Sequence, residues 1–97
     1  MKGLEREIAE ERARALGLTG KKLQQSIDRF NRAVRLRRSS ADHEGLLGEI
    51  AWHAWALIVQ REVIGFRHGN LRWVRDHYDI PRAALHRLGR SDRLSRG

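Results

Sequence analysis

LLGEIAWHAWALIV, residues 46–59, decides the fold. Leu46, Leu47, Ile50, Ala51, Trp52, Ala54, Trp55, Ala56, Leu57, Ile58 and Val59 place apolar groups on every side of a helical wheel, and such a helix must be enclosed all round. The pattern continues through QREVIGF to about Phe66 and breaks near Gly65 or Gly69. Upstream, Ser39 to Glu44 is a polar connection in which Ser40 or Asp42 is placed to cap the central helix. Downstream, Asn70 is placed to cap a short helix over about 70–78 that carries Leu71, Trp73, Val74 and Tyr78. Pro81 disfavours helical geometry at Ile80, so a turn at Asp79 to Pro81 precedes a last helix over about 81–88 that stops at Gly89.

Further upstream, Leu23, Ile27, Phe30 and Val34 follow a 4-3-4 spacing that puts one apolar seam on a helix over about 20–38. Leu4, Ile8, Ala9, Ala13 and Leu16 define another over about 3–16, with Arg6, Glu10 and Arg14 spaced for i,i+4 pairing on its wet side. Gly17 is positioned to end that helix and Thr19 to cap the next. No strand pattern competes. The expectation is an all-α protein of four or five helices packed around the central apolar helix, with residues 1–89 a single helical domain and 90–97, RSDRLSRG, a flexible basic tail. A chain of 97 residues holds one modest core, so a homodimer with the central helix at or near its interface is expected.

Composition narrows the function. With 40% hydrophobic and 33% charged residues the chain suits an ordinary folded domain. The absence of cysteine excludes a disulfide framework, a thiolate metal site and a cysteine nucleophile. The N-terminus, MKGLEREIAEERARALG, carries Glu5, Glu7, Glu10 and Glu11 where a secretory signal needs an unbroken apolar stretch, so a cytoplasmic location is expected. Ile50 to Val59, interrupted by His53, falls well short of the roughly 20 residues that span a bilayer, so no membrane contact is expected. The net charge of +8 favours nucleic acid or an acidic protein face as partner. By segment the charge runs 0 over residues 1–20, +6 over 21–40, −3 over 41–66 and +5 over 67–97.

The positive charge is concentrated on Lys21, Lys22, Arg29, Arg32, Arg35, Arg37 and Arg38, opposite the apolar seam of their helix and opposed by Asp28 alone. With Arg82, these are the candidate nucleic-acid contacts, since a row of guanidinium and ammonium groups can neutralise several phosphates; a merely solvated face has the same composition. The stretch LRWVRDHYDIPRAALHRLG outwardly resembles a helix-turn-helix in which Arg82, His86, Arg87 and Arg90 would face DNA. Arg75 stands where the tight crossing needs a small residue, and Asp79 stands where the turn usually has glycine, which weighs against that reading.

Glu49 and His53 share a helix face at i,i+4, but no third ligand is evident, so no metal site or cofactor is assigned. Ser39 or Ser40, Asp42 and His43 share a loop without the alignment that a nucleophile and base require, and no catalytic residue is assigned; the protein is not expected to be an enzyme. Gln60, Arg61, Glu62 and nearby Arg67 follow directly on the apolar run, where a charge leaves water only at a cost unless it is paired. They read as a structural polar network, with Arg67, Arg72, Asp76 and Tyr78 as candidate partners of Arg61 and Glu62.

LEREIAEERARALG at 4–17, VQREVIGFR at 59–67 and VRDHYDIPRAALHRLG at 74–89, in that order, resemble a small family of uncharacterised all-helical proteobacterial proteins. The resemblance spans nearly the whole chain, implies a helical fold and adds no catalytic residue. It also implies that the Ile80-Pro81-Arg82 turn belongs to packing. The expected function is a small non-enzymatic binding module, foremost a basic homodimer contacting nucleic acid, otherwise a protein-interaction or oligomerising scaffold.

Overall fold

The computed structural model describes residues 2–88. The expected stop at Gly89 and the expected tail 90–97 lie outside the described residues. The chain is all helical among them: α1 spans Lys2–Arg35, α2 Ser40–Val63, α3 Asn70–His77, and α4 covers 82–88.

The two N-terminal helices expected from the sequence are one. Gly17 does not stop α1: the glycines that take a positive φ among the described residues are Gly65 and Gly69, and the left-handed glycine that commonly ends a helix is found after α2, at Gly65. Thr19 does not cap a new helix either: its hydroxyl donates to the carbonyl of Ala15 at 3.0 Å, four residues back within the same helix. The glycine that matters in α1 is Gly20, which is buried against the phenol of Tyr78. A methyl group there would collide with the Tyr78 hydroxyl, so Gly20 is a packing residue.

The end of α1 and the end of α2 use the same device. In each, the amide two residues past the cap reaches back to the third residue from the helix end, Arg38 to Ala33 at 3.0 Å and Phe66 to Arg61 at 2.9 Å. The residue just past the cap must then adopt a left-handed backbone. Gly65 does so with φ 113° at no steric cost, whereas at the end of α1 the position is held by Arg37 with φ 51°. The connection between α1 and α2 is shorter than expected. Ser39 is the N-cap, its hydroxyl accepting from the amide of Asp42 at 3.2 Å, so α2 starts at Ser40.

This short reversal lays α1 and α2 side by side. Leu23 and Ile27 of α1 meet Leu47, Ile50, Ala54 and Leu57 of α2; Val74 of α3 and Ala84 and Leu88 of α4 close the core from the other side. Each large aliphatic side chain so enclosed contributes about 1.5–3 kcal/mol. The central helix is thereby covered on two flanks, not all round as expected: Trp52 is 64% exposed and Val63 63%. α1 covers one flank and α3 with α4 the other, leaving an outer face of α2 without a partner. None of the described helices is long and apolar enough to cross a membrane.

Candidate functional site

Lys21, Lys22, Arg29, Arg32, Arg35 and Arg38 are all exposed, as is Arg37. Those on α1 follow its outer side because Leu23, Ile27 and Phe30 of the expected 4-3-4 seam turn inward, and charge on the remaining arc stays in water; the fourth seam residue, Val34, is 49% exposed, its neighbour Ala33 being buried in its place. Arg29 is engaged: it donates to Glu49 at 3.1 Å and to the Ser26 hydroxyl at 3.3 Å. Arg32, Arg35 and Arg38 pair with no carboxylate among the described residues. A cleft of about 360 Å³ opens where α1 ends and α2 begins, lined by Arg29, Arg32 and Arg38 with Asp42, above an apolar floor of Ala33 and Leu46. With Arg29 held by Glu49, Arg32 and Arg38 against Asp42 still leave a positive surplus there.

The C-terminal arginines do not form one surface with these. Arg82 and His86 are exposed, but Arg87 turns back to the N-terminal end of α2, pairing with the carboxylate of Glu44 and donating to its backbone carbonyl at 3.0 Å. Arg90 lies outside the described residues.

The polar group behind the apolar run is organised differently from its sequence expectation. Arg61 is only 8% exposed, while Glu62 and Arg67 are exposed and Gln60 is partly buried with its side-chain oxygen unpartnered. No carboxylate among the described residues pairs with Arg61. Its guanidinium lies over the rings of Trp73, 3.6 Å from the centroid, and Phe66, at 4.4 Å. Two π faces thus offset the loss of water, a desolvated arrangement worth about 2 kcal/mol or more. Arg61 Nε also donates to Asn70 Oδ1 at 3.0 Å, and Asn70 Nδ2 donates to the carbonyl of Phe66. The residue expected to cap α3 thus ties α3 to the end of α2, while Gly69, φ 71°, occupies the cap itself. Of the four residues expected to form a network, only Arg61 joins this cluster. Phe66, Asn70 and Trp73, which complete it, carry a signal in the sequence only as aromatics and an amide spaced within a dozen residues of an arginine that must be buried.

His53 and Glu49 do share a face, but Glu49 is occupied by Arg29. Burial holds the pKa of His53 below its usual 6.5; Lys22 and Arg29 lower it further, and Glu49 works in the opposite direction. Among the described residues no three His, Asp or Glu side chains gather as a metal site would require. Ser39 serves as the α2 cap and the His43 ring lies edge-on to Phe30 at 5.8 Å, so the two are occupied separately.

Fold and surface together define a small all-α protein with an arginine-rich outer face and an arginine locked between aromatic rings. The chain belongs to a family of unknown function, DUF6665, whose pattern it matches over residues 1–96. No curated protein and no solved structure matches it.

Proposed function

We propose that the protein is a non-enzymatic binding module that contacts nucleic acid through the outer face of α1. The observation that carries this reading is the surplus of unpaired guanidinium groups at Arg32, Arg35 and Arg38, beside the cleft at the α1 end. Counterion release from phosphates would supply the affinity. Arg37 supports it from the backbone side. A left-handed residue past a helix cap costs a non-glycine side chain roughly 1 kcal/mol that glycine avoids, yet an arginine stands there among the other basic groups.

Fluorescence anisotropy with a duplex DNA across a salt series tests it. The wild type should bind with an affinity that falls linearly on a log–log plot against salt. Replacing Arg32, Arg35 and Arg38 by glutamine should weaken binding and reduce the slope by about 0.9 for each phosphate that the variant no longer neutralises. Failure of the wild type to bind DNA or heparin at about 0.1 M salt, where charges act over roughly 10 Å, would end the reading.

A second reading, an oligomerising scaffold, is favoured by one separate observation: the outer face of α2 is apolar and open, with Trp52 64% exposed.

A further inference from the structure

Gly45, Gly48, Trp52, Ala56, Val59 and Val63 recur at helical spacing along the outer face of α2, opposite the flanks that meet α1 and the C-terminal helices. This seam is about 27 Å long at 1.5 Å per residue and carries no charged side chain. Midway along it, Trp52 stacks on Trp55, centroids 5.9 Å apart, and stands proud of the surface. Beside it lies a notch of about 360 Å³ walled by Trp52, Trp55 and Arg87 and floored by Gly48 and Ala51. A protruding indole and a depression floored by small residues therefore sit next to each other on one face.

We infer that this face is where two copies of the chain meet, Trp52 of each seated in the notch of the other. A two-fold interface has to be self-complementary, each patch facing its own copy, and a neighbouring knob and notch satisfy that demand with a single surface. Charge selects the same occupant. Two chains of net charge +8 repel each other through most of their surfaces, but the seam itself puts no charged side chain against its copy. Of the α2 carboxylates near the seam, Glu49 is closed by Arg29 and Glu44 by Arg87, while Glu62, exposed beside Val63, carries the remaining negative charge at the C-terminal end of the seam. A partner recruited by the basic charge would need an acidic face and would gain nothing from a neutral seam. Residues 90–97 of the same chain contain one apolar side chain, Leu94, and cannot clothe a face of this length. Arg29 reaches the rim of the seam through Glu49, whereas Arg32, Arg35 and Arg38 pair with no carboxylate among the described residues and take no part in the seam.

This inference deepens the scaffold reading and is independent of nucleic acid. Light scattering coupled to size exclusion, at tens of micromolar and at both about 0.1 M and about 0.5 M salt, should give the wild type twice its 11.3 kDa at each salt, since apolar contact survives screening. Trp52→Glu and Val63→Glu, separately, should each return the mass to 11.3 kDa with unchanged helical circular dichroism, as both positions are open in the single chain. Leu36→Glu, an exposed apolar site off the seam, should remain paired. Acrylamide quenching of the unsubstituted protein should decrease as concentration rises through the pairing range. A wild type that stays at 11.3 kDa overturns the inference and the scaffold reading together. A paired wild type whose seam variants also stay paired, or whose quenching does not change with concentration, overturns the inference and leaves the scaffold reading standing.

Discussion

The two halves of α1 are built from the same materials and meet opposite fates. Residues 3–15 are exposed throughout, Leu4 and Ile8 included, whereas Leu23, Ile27 and Ala33 are buried with Ser26 between them. Apolar spacing does not separate them: Ala9, Ala13 and Leu16 run into Leu23, Ile27, Phe30 and Val34 on one continuous seam. Length does. α1 has 34 residues and α2 has 24, and the pair is joined at the C-terminal end of α1, so the first turns of α1 extend past the end of α2. Those turns are helical through the propensity of their Ala, Leu, Glu and Arg, while the second half is helical because it is packed. An amphipathic pattern thus states what a helix could bury; topology decides what it does bury.

The largest expected effect sets the halves directly against each other. Ile27→Ala empties a site that is 1% exposed and should cost about 2–5 kcal/mol in urea unfolding. Ile8→Ala, a similar excision on the same helix, should cost under about 0.5 kcal/mol. A cost above about 1 kcal/mol at Ile8 would break the comparison, since it would require that the overhanging turns pack against something.

The boundary between the halves falls between two glycines, and the same substitution should act with opposite sign on each. Gly17→Ala adds a methyl group in open space on an exposed helix position and should stabilise by about 0.5–1 kcal/mol. At Gly20 the added methyl meets the Tyr78 hydroxyl, and the displacement of the segment carrying α3 and α4 should reverse the gain into a loss of about 1–3 kcal/mol. Tyr78→Phe in the Gly20→Ala background should recover part of that loss, which a defect confined to α1 itself would not allow. Equal and favourable effects at both glycines would move the packed half of α1 further toward the C-terminus than Gly20.

The all-helical fold, the central helix and the turn before Pro81 are legible in the sequence because each rests on a local cause: periodicity, or a fixed proline φ. The break expected at Gly17 is absent because a glycine is compatible with either a stop or a close contact, and the residue that reveals a close contact at Gly20, Tyr78, is remote in sequence. The exposure of Trp52 is illegible for a related reason. A helix apolar all round states a need for cover and cannot state how many neighbours the chain supplies. At the site, the exposure of the α1 arginines follows from the seam opposite them, but the surroundings of Arg61 do not. Burial of that charge is foreseeable from its place behind the apolar run; its neutralisation by Trp73 and Phe66 instead of a carboxylate depends on the angle at which α3 returns.

The smallest expected effect concerns His53, which faces the packed half of α1 from α2 and feels Lys22 and Arg29 across the helix pair. Burial first, and then those two cations, hold its pKa below 6.5, against the opposing pull of Glu49. In the folded protein His53 therefore binds a proton less readily than in the unfolded chain. Its contribution to stability is fully present above about pH 6.5 and is lost as the pH falls from there toward the lower folded value, because the unfolded state gains a proton that the folded state refuses. The urea midpoint of the wild type should accordingly drop between about pH 7.5 and about pH 5.5, and His53→Gln should make that drop shallower. If His53→Gln instead steepens the fall, the Glu49 carboxylate outweighs burial at this site, and the contact between α2 and the second half of α1 is wetter than its core residues imply.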